Sequence, residues 1–196
     1  MDTGNVVKMI VFDWDGTVTP KRKTEEIVRI VVDKVGSEKL CRILFRIQEI
    51  FDSIKSSLGF DSIKLNQKIL EIIKKAHLLG IPLGLITDRR TCIACGFLQK
   101  FELNFFSFIQ GRSGSSITDH SCGKNTLCFE SPNIKPSPVV FLRLCNIAKE
   151  NGIERKKILY VDDQPAVRSA AENLGFKSLA PDDPMIDSIL NPDYRF

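Results

Sequence analysis

Val6-Val7-Lys8-Met9-Ile10-Val11-Phe12-Asp13-Trp14-Asp15-Gly16-Thr17-Val18 is the stretch on which the reading of this chain turns. Residues 6–12 form a compact apolar run of the length of a buried parallel strand, and the run stops at an aspartate. A second aspartate follows two residues later, on the same side of the chain if the backbone stays extended. Gly16 then permits a sharp turn. An apolar strand that delivers two carboxylates to its carboxyl end has the form of a central strand in an open α/β sheet, where ligands bind beyond that end.

Working outward, residues 81–86 form a second apolar run that ends at Thr87-Asp88, and 157–161 form another that ends at Asp162-Asp163. Weaker runs occupy 105–109 and 176–179. Helical apolar spacing covers 64–79, 90–101, 138–151 and 165–174. This alternation predicts a Rossmann-like α/β fold, a parallel sheet with helices on both faces. Residues 24–59 interrupt the rhythm. Ile27, Ile30, Val31 and Val35 fit one helical stripe, and Leu40, Ile43, Leu44, Ile47, Phe51, Ile54 and Leu58 fit a second, with a break near Gly36-Ser37. They predict a helical hairpin inserted after the first strand. The Gly- and Ser-rich stretch 111–116 reads as loop.

The chain has 196 residues, 43% hydrophobic and 27% charged, which suits one domain with a full core and room for a small insert. Its net charge of +4 is spread along the sequence, with the densest cluster at Lys21-Arg22-Lys23. That is too weak for a nucleic-acid footprint, so no nucleic acid is expected as a partner. The apolar run Met9–Phe12 is too short for an export signal and no stretch is long enough to span a bilayer. A cytoplasmic protein without a membrane partner is the expectation, and the six cysteines are then expected as thiols.

The sheet would gather Asp13, Asp15, Thr87, Asp88, Asp162 and Asp163 at one edge. Any one acidic strand end is more often a helix cap, and Asp88 is read that way and left outside the site. Several carboxylates together repel one another unless a cation lies among them, and an all-oxygen set suits magnesium. Asp13 can attack phosphorus to give an acyl-phosphate. Asp15 can protonate the leaving oxygen and later deprotonate water. The Thr87 hydroxyl and nearby N–H groups can hold phosphate oxygens. Lys135, set between Ile134 and the Pro136-Ser137-Pro138 segment, can fix a positive charge beside nucleophile and phosphate.

Val11-Phe12-Asp13-Trp14-Asp15-Gly16-Thr17-Val18 resembles the first motif of the haloacid dehalogenase superfamily. Leu85-Ile86-Thr87-Asp88 resembles its second, Lys135-Pro136-Ser137-Pro138 its third and Tyr160-Val161-Asp162-Asp163 its fourth, in the family's order and over nearly the whole chain. The resemblance implies a phosphatase with Asp13 as nucleophile, Asp15 as acid and base, and Thr87 and Lys135 on the phosphate. It implies magnesium held by the Asp13 carboxylate, the Asp15 carbonyl and Asp162, with Asp163 acting through a water. It also implies a catalytic core of 1–20 and 61–196 with residues 21–60 as an inserted helical cap. The chain departs from the commoner fourth motif, whose second acid would fall at Ala166, and this makes the part of Asp163 the least determined. Trp14 receives no catalytic part.

Asp15 argues against carbon–halogen hydrolysis, in which the leaving halide needs no proton. A phosphoryl-transferring mutase would need a lid that keeps water from the intermediate, and a two-helix insert makes a modest one. A catalytically idle binding or regulatory module is the other alternative, against which every motif position holds a competent residue. The substrate class is a phosphate monoester on a small molecule, with phosphoprotein left open, and the assembly a monomer or homodimer. Cys92, Cys95, His120, Cys122 and Cys128 could together approach a zinc site, but the spacing favours a flexible or hairpin loop over 111–133 at the rim of the cleft.

Overall fold

The computed structural model of the chain describes residues 6–20, 64–112 and 126–190. Among them six strands form one parallel sheet: β1 (Met9–Phe12), β2 (Leu83–Arg90), β3 (Phe108–Arg112), β4 (Leu127–Ser131), β5 (Ile158–Val161) and β6 (Lys177–Leu179). Their order is β4-β3-β2-β1-β5-β6. The chain winds outward from β1 through β4, then crosses back to β5 on the other side of β1. That reversal is a topological switch point beside β1, and ligands of open α/β sheets bind at the carboxyl ends of the strands there.

Helices α1 (Gln67–Leu78), α2 (Thr91–Lys100), α3 (Leu142–Glu150), α4 (Pro165–Glu172) and the short α5 (Met185–Ser188) cover the sheet. Period-two alternation in β1 divides the core. Ile10 and Phe12 face a layer with Trp14, α1 and α2, while Met9 and Val11 face a layer with α3 and α4. In α1 the buried residues Ile69, Ile72, Ile73 and Ala76 make one stripe, and the Asn66 side chain caps the helix by accepting from the Ile69 N–H. Pro165 opens α4, where its missing N–H has no intrahelical partner to lose. Truncating a fully buried side chain such as Phe12 would cost about 3–5 kcal/mol.

The sheet differs from the sequence expectation in three places. The second strand, expected to end at Thr87, continues to Arg90 across an irregularity in its pairing with β3 between Ile86 and Arg90. The third, expected over 105–109, lies at Phe108–Arg112, since Phe106 is buried below the strand as a loop residue. The region read as loop over 111–133 contains the edge strand β4, paired in parallel with β3. Only one of its five residues is buried, so its sequence lacks the apolar run that marks a central strand.

The helical insert expected over 21–60 and loop residues 113–125 lie outside the described residues. The backbone flanking the insert is described, and the Asn66 N–H donates to the Val18 carbonyl at 2.8 Å. The chain therefore leaves the core and rejoins it at one place, beside the carboxyl end of β1. Among the described residues no helix is long and apolar enough to cross a membrane.

Candidate active site

The Asp13 N–H donates to the Val161 carbonyl at 2.9 Å, which carries the β1–β5 pairing one residue past the strand and fixes the backbone of the buried Asp13. The chain then closes into a tight loop. The Thr19 N–H and hydroxyl both reach the Trp14 carbonyl, at 2.9 and 3.2 Å. Trp14 is fully buried and stacks on Phe97 of α2 at 5.7 Å between ring centroids, which anchors the loop to the core. Gly16 has φ +86°, and a Cβ there would stand 2.6–2.9 Å from the carboxyl atoms of Asp163. Glycine is thus required twice over, for the turn and for the room that Asp163 occupies.

Lys135 reaches into this corner from the segment after β4. Its Nζ lies 2.5 Å from Asp13 Oδ1 and 2.9 Å from Asp162 Oδ2. Asp162 Oδ2 also accepts from the Tyr160 hydroxyl at 2.8 Å, and Asp162 Oδ1 from the Gln164 N–H at 2.8 Å. The Lys135 backbone N–H donates to Asp88 Oδ1 at 2.9 Å, so Asp88 holds the lysine segment in place. Asp88 does not cap the following helix, whose N-cap is Arg90 without a side-chain bond; the reading of it as a helix cap is corrected.

Burial alone would push the Lys135 ammonium down, but Asp13, Tyr160, Asp162 and Asp88 outweigh it and hold the group well above its ordinary value. Burial pushes the Asp13 carboxyl well up, and the charges of Asp162 and Asp15 add to this against the pull of Lys135. Burial likewise raises Asp88. Among the described residues the corner holds more acids than cations. Asp13, Asp162 and Asp163 bring carboxylate oxygens within 4.8 Å of one another, with one ammonium among them. Asp13 Oδ2 is buried and has no hydrogen-bond partner. An all-oxygen cluster with an unsatisfied buried oxygen fits a hard divalent cation.

Asp15 lies apart from that cluster. Its carboxylate receives two bonds from Arg89, Nε to Oδ2 at 2.7 Å and Nη2 to Oδ1 at 2.5 Å. The Arg89 N–H in turn donates to the Thr87 hydroxyl at 3.2 Å. Thr87 and Arg89 both stand in the irregular end of β2, the kind of break that re-aims side chains beside a site. Of the residues expected from sequence, Asp13, Lys135, Asp162 and Asp163 meet in one cluster, whereas Asp15 and Thr87 share a neighbouring one with Arg89. Sequence reasoning missed Asp88, Arg89 and Tyr160. Arg89 had a signal, being a cation two residues past Thr87 at a strand end.

Of the residues considered for zinc, Cys92, Cys95 and Cys128 are among the described ones. Cys92 is exposed, Cys95 is disulfide-bonded, and Cys145 is a buried thiol; the expectation of thiols throughout fails at Cys95. Cys128 lies with its Sγ 3.7 Å from that of Cys95. His120 and Cys122 lie outside the described residues. Among the described residues, Asp13, Asp162 and Asp163 are the one grouping of metal-ligating side chains.

No protein-family profile matches the sequence, and no curated protein does. Solved structures do. A haloacid dehalogenase-like family hydrolase from Streptococcus pneumoniae aligns at 16% identity and TM-score 0.54, over 97% of this chain and 93% of that one. CbbY from Rhodobacter sphaeroides, solved in complex with phosphate, aligns at 16% identity and TM-score 0.58, over 89% and 86%. A Thermotoga maritima protein provisionally named a β-phosphoglucomutase aligns at 16% identity and TM-score 0.58, over 95% and 100%. With its parallel sheet, its strand-end acids and these neighbours, the chain has the fold of the haloacid dehalogenase superfamily hydrolases.

Proposed function

We propose that this protein is a magnesium-dependent phosphohydrolase that cleaves a phosphate monoester through an aspartyl-phosphate on Asp13. The observation that carries the reading is the Lys135 Nζ at 2.5 Å from Asp13 Oδ1, with Asp13 Oδ2 buried and unpartnered and carboxylate oxygens of Asp13, Asp162 and Asp163 within 4.8 Å of one another. One carboxylate oxygen is held by the lysine, and the other is left without a hydrogen-bond partner, as a cation ligand would be. CbbY, of the same fold, was solved with phosphate, a ligand of the class that this reading requires.

In the first step an Asp13 oxygen attacks phosphorus, the bond from phosphorus to the leaving oxygen breaks, and Asp15 gives that oxygen its proton. In the second, water attacks the aspartyl-phosphate, Asp15 takes the proton, and inorganic phosphate leaves with Asp13 regenerated. Lys135 neutralises charge on both Asp13 and the phosphate throughout. Asp13 and Asp163 would hold magnesium together with the Asp15 carbonyl. Asp162 would hold it less directly, since its Oδ2 already accepts from Lys135 and Tyr160. The bound cation would supply charge neutralisation for an otherwise repulsive cleft. Thr87 would bind a phosphate oxygen through its hydroxyl proton while its oxygen keeps the Arg89 N–H.

The substrate proposed is a small phosphorylated molecule in the cytoplasm, selected by the insert and by loops at the strand ends. Turnover of p-nitrophenyl phosphate with and without magnesium tests the reading, together with a mass increase of one phosphoryl group on Asp13 after rapid quench. Magnesium-independent turnover, or turnover that survives Asp13→Asn, overturns it. Phosphoryl transfer to a sugar phosphate in place of water would convert the assignment to a mutase.

A further inference from the structure

The Arg89–Asp15 pair stands outside the cluster around Lys135, and no step written above uses the arginine. Asp15 comes from the loop after β1 and Arg89 from the end of β2, 74 residues later. Their two parallel bonds, Nε to Oδ2 and Nη2 to Oδ1, fix both the place and the plane of the carboxylate, which a single point charge cannot do. The guanidinium is itself held. It lies over the Phe97 ring at 5.5 Å, and Phe97 stacks on Trp14 at 5.7 Å. The Arg89 N–H is tied to the Thr87 hydroxyl. The Arg89 carbonyl packs so close to Gly111 that a Cβ there would come within 2.7 Å of it. Trp14, the residue between the two aspartates, thus supports the stack that holds the second of them.

The geometry points to Arg89 as a positioning residue for Asp15, setting where the acid–base carboxyl stands while it exchanges a proton with the leaving oxygen and with water. Arg89 touches neither phosphorus nor metal in this assignment. One guanidinium bond holds the carboxyl in place while the other Asp15 oxygen carries the proton to the leaving group. The inference rests on the phosphohydrolase reading, and its test is built to fail separately from that reading.

The test is a double-mutant cycle on Asp15 and Arg89, read with full-length enzyme and magnesium on a series of aryl and alkyl phosphates. Misplacing a catalytic group by about 1 Å can cost about 100-fold. Arg89→Ala and Arg89→Lys are expected to lower kcat by about 10–100-fold on alkyl phosphates, and by less on p-nitrophenyl phosphate, whose leaving group needs little protonation. KM is expected to move by less than about threefold. In the Asp15→Asn background, Arg89→Ala should cost less than about twofold more, because a residue that acts through Asp15 has nothing left to position. Millimolar guanidinium is expected to restore part of the Arg89→Ala activity, which it would not do for a merely structural loss. If Arg89→Ala does not fold with Asp15 left unpaired, Arg89→Met in the Asp15→Asn background removes both charges and completes the comparison. An equal loss on adding the Arg89 change to wild-type and to Asp15→Asn enzyme overturns the inference, as does a loss confined to KM. Wild-type turnover that vanishes in Asp13→Asn keeps the phosphohydrolase reading whatever Arg89 does; wild-type enzyme without turnover ends both.

Discussion

Two cation–carboxylate contacts stand side by side at the carboxyl edge of this sheet, and they are built on opposite principles. The Lys135 side chain is 1% exposed and faces Asp13 and Asp162, at 3% and 0%. It is a point charge divided between two acids, with a third nearby. The Arg89 side chain is 7% exposed and Asp15 18%, and the pair is balanced, one charge of each sign with both oxygens engaged. The first contact leaves an electrostatic deficit that a cation and a phosphate can complete. The second leaves no deficit and contributes geometry. A carboxylate at a strand end is therefore not one kind of object. On the proposed reading, what faces it decides whether it gathers ligands or aims a proton.

The largest expected effect separates the two contacts by chemistry. Asp13→Asn should lower turnover by at least about 1000-fold, since the amide is neither nucleophile nor charged ligand. The same change should leave thermal stability equal or higher without magnesium, because burial holds the Asp13 carboxyl well above its ordinary value. A clear fall in Tm would mean that the Lys135 pairing outweighs burial. Next in size is Lys135→Met, which leaves two buried acids facing each other and should cost about 3–5 kcal/mol of stability. Magnesium should recover part of that loss, measured by denaturant unfolding with and without the ion.

Magnesium itself sharpens the comparison. At 100 times its dissociation constant it should add about 2.7 kcal/mol to wild-type stability. Asp163→Asn should abolish most of that gain and Arg89→Lys almost none of it. Equal loss in both variants would mean that the two regions form one electrostatic unit.

The smallest effect belongs to Asp88→Asn. The amide oxygen can still accept from the Lys135 N–H, while the buried charge disappears. Burial raises the Asp88 carboxyl, so ionisation favours the unfolded chain as pH rises through the ordinary carboxylate range. The variant should therefore be slightly more stable than wild type at neutral pH, and the gain should vanish below that range. A variant less stable than wild type at pH 7 would show that attraction between Asp88 and Lys135 exceeds the cost of burying the charge.

The sheet's centre was legible because β1 and β5 are buried along their whole length and so spell themselves as unbroken apolar runs. The edge strand β4 was not. Leu127 is exposed and Cys128 and Phe129 are half-buried, so its identity comes from hydrogen bonds to β3, which composition does not encode. Asp13 and Lys135 could be placed by motif and strand end, and they meet as expected. The part of Asp88 could not be placed, because its bond to the Lys135 N–H joins residues 47 apart. A helix cap is the local explanation that such an aspartate invites. Arg89 was hidden by the expectation that the strand stops at Thr87, since a residue after the strand carries no predicted direction. The insert's relation to the cleft lies outside the described residues.

The bond from the Asn66 N–H to the Val18 carbonyl also bears on how such a protein can change over evolutionary time. A segment whose two ends are already fastened together behaves like a loop closed at its base, and doubling the length of a flexible loop costs only about 0.6 kcal/mol of closure entropy. The sheet can therefore carry a longer, shorter or wholly different excursion at this socket while the register of β1 with β2 and β5 is kept. Grafting a foreign excursion between Val18 and Asn66 is then expected to leave the strand-end cluster around Asp13 in place.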